Sequence, residues 1–314
     1  MKRSATAPRS RPRAAQGGVA LAMLIWFIAA MMLLVAGIVV TARVDIKLTQ
    51  LHAERARAEA AGDGAIALAL VELMVVDSED EVDTSLVFGG QYSVGGLDVS
   101  VRFQPLSGLL DLNRAPEELL ALLFASLDDV DEARAVELAA SMVEWRSAPS
   151  EDADDIDAPV ADSGLRHARF ETIEDLLLVP GMDRDIFTGV REAVYVSQRG
   201  QTGVDWMAAP PRVLQAIGGL DAAQAEALSA ALGASGSREE SAPAELDLSF
   251  QEDGNLALFR VDAVVSVGDE RFLRRRWVER GRSGADDLPW RFFRSEAVRA
   301  AGGATSLEPG YAGR

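Results

Sequence analysis

The chain has 314 residues and a formal net charge of −18; 48 % of its residues are hydrophobic, none is cysteine, and the two histidines are His52 and His167. That length and apolar content suffice for one large domain or two ordinary ones and exclude a disordered chain. The absence of cysteine excludes a disulfide framework, a thiol nucleophile and a cysteine metal site, and histidines so far apart in sequence give no support to a histidine-based metal or catalytic site.

The charge is unevenly spread. Residues 1–18 carry Lys2, Arg3, Arg9, Arg11 and Arg13 with no acid, so the body is more acidic than the whole and repels nucleic acid and anionic lipid unless basic residues gather on one face. From Ala14 to Ala42 there is no charged residue. The strongly apolar part, Val19 to Val40, spans about 33 Å as a helix, against roughly 30 Å of bilayer hydrocarbon. A secretory signal has a shorter apolar region that ends in a small-residue cleavage site; this run continues through Gly37 and Thr41 into Arg43-Val-Asp-Ile-Lys47. It reads as a helix that crosses the membrane. The basic flank before it and the acidic body after it place the N-terminus in the cytoplasm and the body across the membrane, which in a bacterium is the periplasm.

Helix formers continue past the bilayer, so one helix is expected from about Val19 to Val75, with a weak point at Gly62-Asp-Gly64. Its later apolar residues, Ile66, Leu68, Leu70, Val71, Leu73 and Met74, call for a covering sheet.

A basic leader ending in glycine, followed at once by a long apolar helix that runs into a soluble domain, resembles the class III signal of type IV pilins and type II secretion pseudopilins. The resemblance implies cleavage between Gly18 and Val19 by a prepilin peptidase on the cytoplasmic side, and methylation of Val19. The segment is then a short leader that is lost and an anchor that stays. Those families carry glutamate at the fifth mature position, where pairing with a neighbouring subunit's N-terminal amine offsets the cost of an acid in lipid, about 2.5–3.5 kcal/mol on insertion scales. Here that position is Met23. A subunit with nothing above it in a filament has no such amine to meet, so this departure implies a tip position and resembles the K-type minor pseudopilin.

Further along, QYSVGGLDVSVRFQPLSGLLDLNRAPEELLALL offers two alternating strands around Gly95-Gly96, a turn at Ser107-Gly108, and a helix opened by Leu-Asp-Leu-Asn-Arg-Ala-Pro. Asn113 is placed to cap that helix, Pro116 stands near its first turn, and Glu117 and Glu118 suit its positive end. This strand, turn and Leu-rich helix resemble the start of the helical insertion of the K-type family. A second copy follows, with Ala209-Pro210 matching Ala115-Pro116 and Val213-Leu214 matching Leu119-Leu120. Between the copies, Val179-Pro180-Gly181 resembles the hairpin of helix-hairpin-helix DNA-binding modules. The acids around it, Glu171, Glu174, Asp175, Asp183 and Asp185, repel a phosphate backbone, so structural packing is the preferred reading and no nucleic acid is expected.

The acidic stretch with Glu151, Asp152, Asp154, Asp155, Asp157 and Asp162 has two readings. Dense oxygen ligands in a turn-rich loop can hold calcium; a block of like charge without the order of an EF-hand is more often solvated. Calcium binding occurs in proteins that resemble this one, but their ligands do not carry over residue by residue. No other cofactor is implied. After a polar linker come three strand candidates, Leu256 to Val267, Arg271 to Glu279 and Trp290 to Arg294, with a hairpin turn at Gly268-Asp269. Within the second, Arg274, Arg275 and Arg276 alternate faces and read as a solvated strand edge rather than a binding patch.

The expected fold is therefore α+β: a pilin-like long N-terminal helix packed on an antiparallel sheet, with a large all-α insertion of helix-hairpin-helix or SAM-like kind. The expected division is a leader at 1–18, a transmembrane helix at 19–42, the pilin-like helix and first strands at 43–106, the helical insertion at 107–235, a linker at 236–245, the completing strands at 246–297 and a loose tail at 298–314.

No catalytic constellation stands out. A nucleophile elbow and a glycine-rich phosphate loop are both missing, and paired carboxylates are common only because the chain is acidic, so an enzyme is not expected. Over nearly its whole length the chain resembles the K-type minor pseudopilin of a bacterial type II secretion system. That implies a single-pass inner-membrane protein forming a tip complex with I-type and J-type minor pseudopilins, on a filament of the major pseudopilin, and priming its assembly for protein export. Leu21, Met23, Leu24, Ile25, Ile28 and Met32 are the expected partner surface, although lipid contact accounts for any one of them as well. Two alternatives share some features: a minor pilin of a type IV pilus or competence system, and a membrane-anchored DNA receptor using its helical hairpins.

Overall fold

The computed structural model describes residues 17–79, 89–147, 167–197, 200–235, 243, 246–252, 254, 257–281 and 288–301. One helix, α1 (Gly17–Glu79), opens the described chain. It is continuous through Gly62-Asp-Gly64, where a weak point was expected. Of the two compact units of the chain, the first ends at Ala56 and the second begins at Arg57, so the two parts of α1 are described separately.

In the second unit, α1 buries Ala58, Ala61, Ala65, Ile66, Ala69, Leu70 and Leu73. These recur at three- and four-residue steps and form one face. Alanine dominates that face because the sheet comes close. A Cβ on Gly62 would lie 2.8 Å from Cβ of Arg274, and one on Gly64 would lie 3.1 Å from Val94. The two glycines are therefore points of close approach, which outweighs their poor helix propensity. The covering sheet does not reach every apolar residue of this part. Leu68 and Val71 lie on the far side of the helix, 52 % and 51 % exposed.

The sheet is antiparallel, with strand order β1 (Gly89–Val94), β2 (Leu97–Pro105), β5 (Leu258–Val267), β6 (Glu270–Arg280) and β7 (Trp290–Ser295). Gly95 and Gly96 turn β1 into β2 with φ of 61° and 76°, the left-handed conformation required by a tight hairpin turn. Gly268, at φ 60°, does the same between β5 and β6. All three late strands fall within a residue or two of their expected positions. A short β8 (Arg299–Ala300), inside the stretch expected to be loose, also pairs with β6. Val99, Val101, Phe103, Val261, Ala263, Val265, Phe272 and Val278 point at α1 and complete one core.

Between β2 and β5 the chain leaves the sheet and returns to it, so that Pro105 stands opposite Phe259. The excursion is the helical insertion. It runs through β3 (Leu110–Asp111), α2 (Glu117–Ala125), α3 (Glu132–Arg146), a 3₁₀ turn at Ile173–Leu178, α4 (Arg184–Val190), β4 (Val194–Tyr195), α5 (Pro211–Gly218) and α6 (Ala222–Ser235). The repeated Ala-Pro pairs do the same work twice. Pro116 (φ −65°, ψ 157°) and Pro210 (φ −71°, ψ 162°) each stand extended immediately before a helix, α2 and α5. Leu119, Leu120 and Leu123 then meet Leu138, Ala139 and Met142 of α3 and Val213, Leu214 and Ile217 of α5 in a second core. The two-residue strands β3 and β4 pair in parallel, a small addition to an insertion expected to be all-α.

Gly62→Ala tests the close approach. Alanine is the better helix former by about 1 kcal/mol, but overpacking against Arg274 costs about 1–3 kcal/mol, so the substitution is expected to lower the melting temperature; an unchanged or higher one would show that the sheet can yield there.

Candidate functional site

Two features have the makings of a functional surface: the apolar first part of α1 and the helical insertion. Among the described residues, one helix is long and apolar enough to cross a membrane, with an 18-residue window of mean hydropathy 2.8. This fits a single-pass anchor. A helix that is apolar on all sides has no face to keep in water, so lipid or other apolar helices must surround it. The hydroxyl of Thr41 donates to the Gly37 carbonyl at 3.0 Å, which satisfies it within the helix and removes its cost in lipid. Gly18 and Val19 lie in the first turn of α1. Of the six expected partner residues, helical spacing puts Leu21, Leu24, Ile25, Ile28 and Met32 along one side and Met23 roughly opposite them. All six are exposed, Ile28 least at 44 %.

The acids considered for calcium, Glu151, Asp152, Asp154, Asp155 and Asp157, lie outside the described residues. Within the described residues no group of three or more histidines or acids is placed to hold a metal.

The arginine run corrects the sequence reading. β6 is an inner strand with β5 on one side and β7 and β8 on the other, and Arg274 and Arg275 are buried. Alternation sends them to opposite faces. Arg274 donates to both oxygens of Asp63 on α1, at 2.8 and 3.1 Å, and to the Glu296 carbonyl at 2.6 Å. On the other face Arg275 takes Asp262 of β5 in a two-bond fork, at 2.6 and 2.9 Å, and reaches Glu192 of the insertion at 2.6 Å. Burial alone would raise the Asp262 carboxyl; Arg275 and Arg260 bring it down to about 2. They hold Glu192 below its ordinary value as well, again against burial. Arg276, on the α1 face, lies 3.6 Å above the Phe292 ring and donates to Ser295. Partners for these arginines were not read from the sequence, although a lone acid inside the apolar run VDAVVSV of β5 was the available signal.

In the insertion, Asn113 does not cap α2. Its amide instead donates to the Phe170 carbonyl at 3.0 Å and the Ser197 carbonyl at 3.3 Å, and its oxygen accepts from the Phe170 amide at 2.8 Å. The turn around Asn113 is held from α3, where Arg146 donates to the carbonyls of Leu112 and Ala115. Beneath this knot lies Asp111, 1 % exposed. Burial pushes its carboxyl up to about 6, against the amides of Asn113 and Ser197 and the nearby charges of Arg114 and Arg146.

The Val179-Pro180-Gly181 hairpin packs on α3, where a Cβ on Gly181 would sit 3.3 Å from Leu138. Asp183 accepts from the amides of Asp185 and Ile186 at 2.9 and 2.8 Å and pairs with Arg134 at 2.9 Å. The first amides of α4, just after the hairpin, are thus occupied by a carboxylate of the chain itself.

Neither a family model nor a curated protein matches this chain. Among solved structures, it is similar to a chain in the crystal structure of the GspK-GspI-GspJ complex from the enterotoxigenic Escherichia coli Type 2 Secretion System. The likeness covers 83 % of this chain and 99 % of that one, at 14 % identity and a TM-score of 0.48.

The burial of Asp111 predicts a stability that depends on pH. Its folded pKa of about 6 lies above the ordinary 3.8, so its contribution is fully present below about pH 4 and is lost as pH rises through 6. Asp111→Asn keeps an acceptor for the Asn113 amide and removes the buried charge. Thermal melts at pH 4 and pH 7.5 are expected to show the variant gaining on the wild type at the higher pH by up to about 3 kcal/mol; parallel profiles would show that Asp111 does not titrate in this range.

Proposed function

We propose that this chain is a minor pseudopilin of the K type, the tip-forming subunit of a type II secretion pseudopilus. The observation that carries the reading is the continuity of α1. A basic leader ending in glycine runs into an uncharged span, and the same helix then becomes the central element of an α+β body. A discarded signal needs no such continuity, and an ordinary anchor needs no glycine at its cytoplasmic boundary.

In this reading a prepilin peptidase cuts between Gly18 and Val19 and the new N-terminus is methylated. The protein remains in the inner membrane with its N-terminus cytoplasmic and its body periplasmic. The apolar side of α1 bearing Leu21, Leu24, Ile25, Ile28 and Met32 packs against the helices of I-type and J-type partners and of the major pseudopilin, while Met23 faces away. The insertion is the bulky cap of the filament. Since Met23 offers no carboxylate to an amine above it, no further subunit is recruited there, and assembly proceeds below.

The deciding measurement is the mature N-terminus, read by mass spectrometry of membrane-extracted protein made with and without an active prepilin peptidase. A methylated Val19 found only with the peptidase is the expected result. An intact Met1, or cleavage beyond Thr41, would return the chain to a signal-anchored or secreted protein. Replacing Met23 by glutamate is a second test: the extra acid is expected to lower the share of the subunit recovered with I-type and J-type partners, whereas unchanged recovery would remove the argument for a tip position.

A further inference from the structure

The helical insertion and the sheet each have their own apolar core. Between them, among the described residues, lies a small apolar cluster of Leu106, Leu109, Tyr195 and Trp277 with Leu258 packed against it. The two chain crossings, after Pro105 and before Phe259, are neighbours in the sheet. Two adjacent crossings act like a hinge, because they fix a position without fixing an angle. What fixes the angle has to be found among the other contacts, and those are mostly polar.

One side chain dominates them. Glu192, just after α4, receives Arg275 of β6 at 2.6 Å, Arg299 of β8 at 3.2 Å and Arg260 of β5 at 3.5 Å. Its backbone carbonyl accepts from Arg260 at 2.9 Å. Two lesser contacts help: Gln104 to the Ala208 carbonyl at 2.6 Å, and the ion pair of Arg294 with Glu174 at 3.4 Å. The fit is not complete, for the buried Trp277 Nε1 and Ser107 Oγ have no hydrogen-bond partner among the described residues.

We infer that Glu192 is an orienting latch: it sets the angle at which the inserted helical domain sits on the sheet, and without it the insertion turns as a body about its two crossings. The charge arrangement limits the cost of such opening. Arg275 and Arg260 share Asp262, at 2.6 and 3.3 Å, when Glu192 leaves, so neither buried guanidinium is left without a carboxylate beside it. Glu192 itself has 45 % of its side chain exposed and is readily hydrated on release. Arg274 is different: it ties α1 to the sheet in the middle of a core, and its loss loosens the sheet rather than freeing the insertion. Glu192 is thus a positioning residue. If the chain caps a filament, the latch decides which way the cap faces, but the inference rests on the fold alone and survives the failure of that reading.

The chain contains no cysteine, so two introduced ones can carry spin labels without competition. Ser93→Cys on β1 and Glu137→Cys on α3 are both exposed sites, and pulsed dipolar spectroscopy on the full-length protein in detergent reads the distance between them. A single narrow distance is expected with Glu192 present. In Glu192→Gln the distribution should widen or shift by several ångströms with the far-UV circular dichroism unchanged, and Arg299→Gln, which removes one contact only, should widen it less. The control Glu279→Gln, which breaks an ion pair with Arg291 inside the sheet, should leave it as in the wild type. A distribution unmoved by Glu192→Gln would overturn the latch. So would a wild type that is already broad, or a Glu192→Gln protein that does not fold, since either would show that the cores and the angle are not held separately.

Discussion

Two adjacent arginines hold this structure together. Strand alternation allows neighbouring residues to serve opposite faces, and β6 uses it to bind a helix with Arg274 and a whole helical domain with Arg275. An inner strand is an expensive place for charge. Breaking a buried pair costs about 3–5 kcal/mol when it leaves a charge uncompensated, so these arginines are tolerable only because Asp63 and Asp262 stand within 2.9 Å of them. Residues from distant parts of the chain must therefore arrive together, and the layers are joined in one arrangement.

The same economy shapes α1. Its first part carries large apolar residues on every side, as a lipid surround permits. Its second part narrows to alanine and glycine on one face, because there a sheet, not lipid, supplies the contact and comes within reach of the backbone. Leu68 and Val71, left uncovered by the sheet, extend the apolar character to the outer side of the helix. The two parts of α1 thus present different surfaces, one apolar on all sides and one shaped to a sheet.

Much of this was legible. The apolar first part of α1 follows from an uncharged run as long as a bilayer is wide, the strands from period-two alternation closed by glycine turns, and the helix openings from the Ala-Pro pairs. Local signals of that sort act over a few residues and need no knowledge of the rest. The misreadings share a different cause. Asn113 looks like a helix cap until the carbonyls of Phe170 and Ser197 are brought to it. Gly62 looks like a weak point until Arg274 is seen against it. Arg274 and Arg275 look like a solvated edge until β7 and β8 cover β6. In each case the deciding neighbour lies far along the chain.

By itself, then, the sequence determined a helix long and apolar enough to cross a membrane and the class of fold, because hydrophobic run length, periodicity and turn chemistry are properties of short stretches. Tertiary structure alone decided which charges are paired, which glycines are contact points, and how the insertion is held to the sheet. Ion pairing in a low-dielectric interior depends on distances of a few ångströms between groups far apart in sequence, and those distances exist only once the chain has folded.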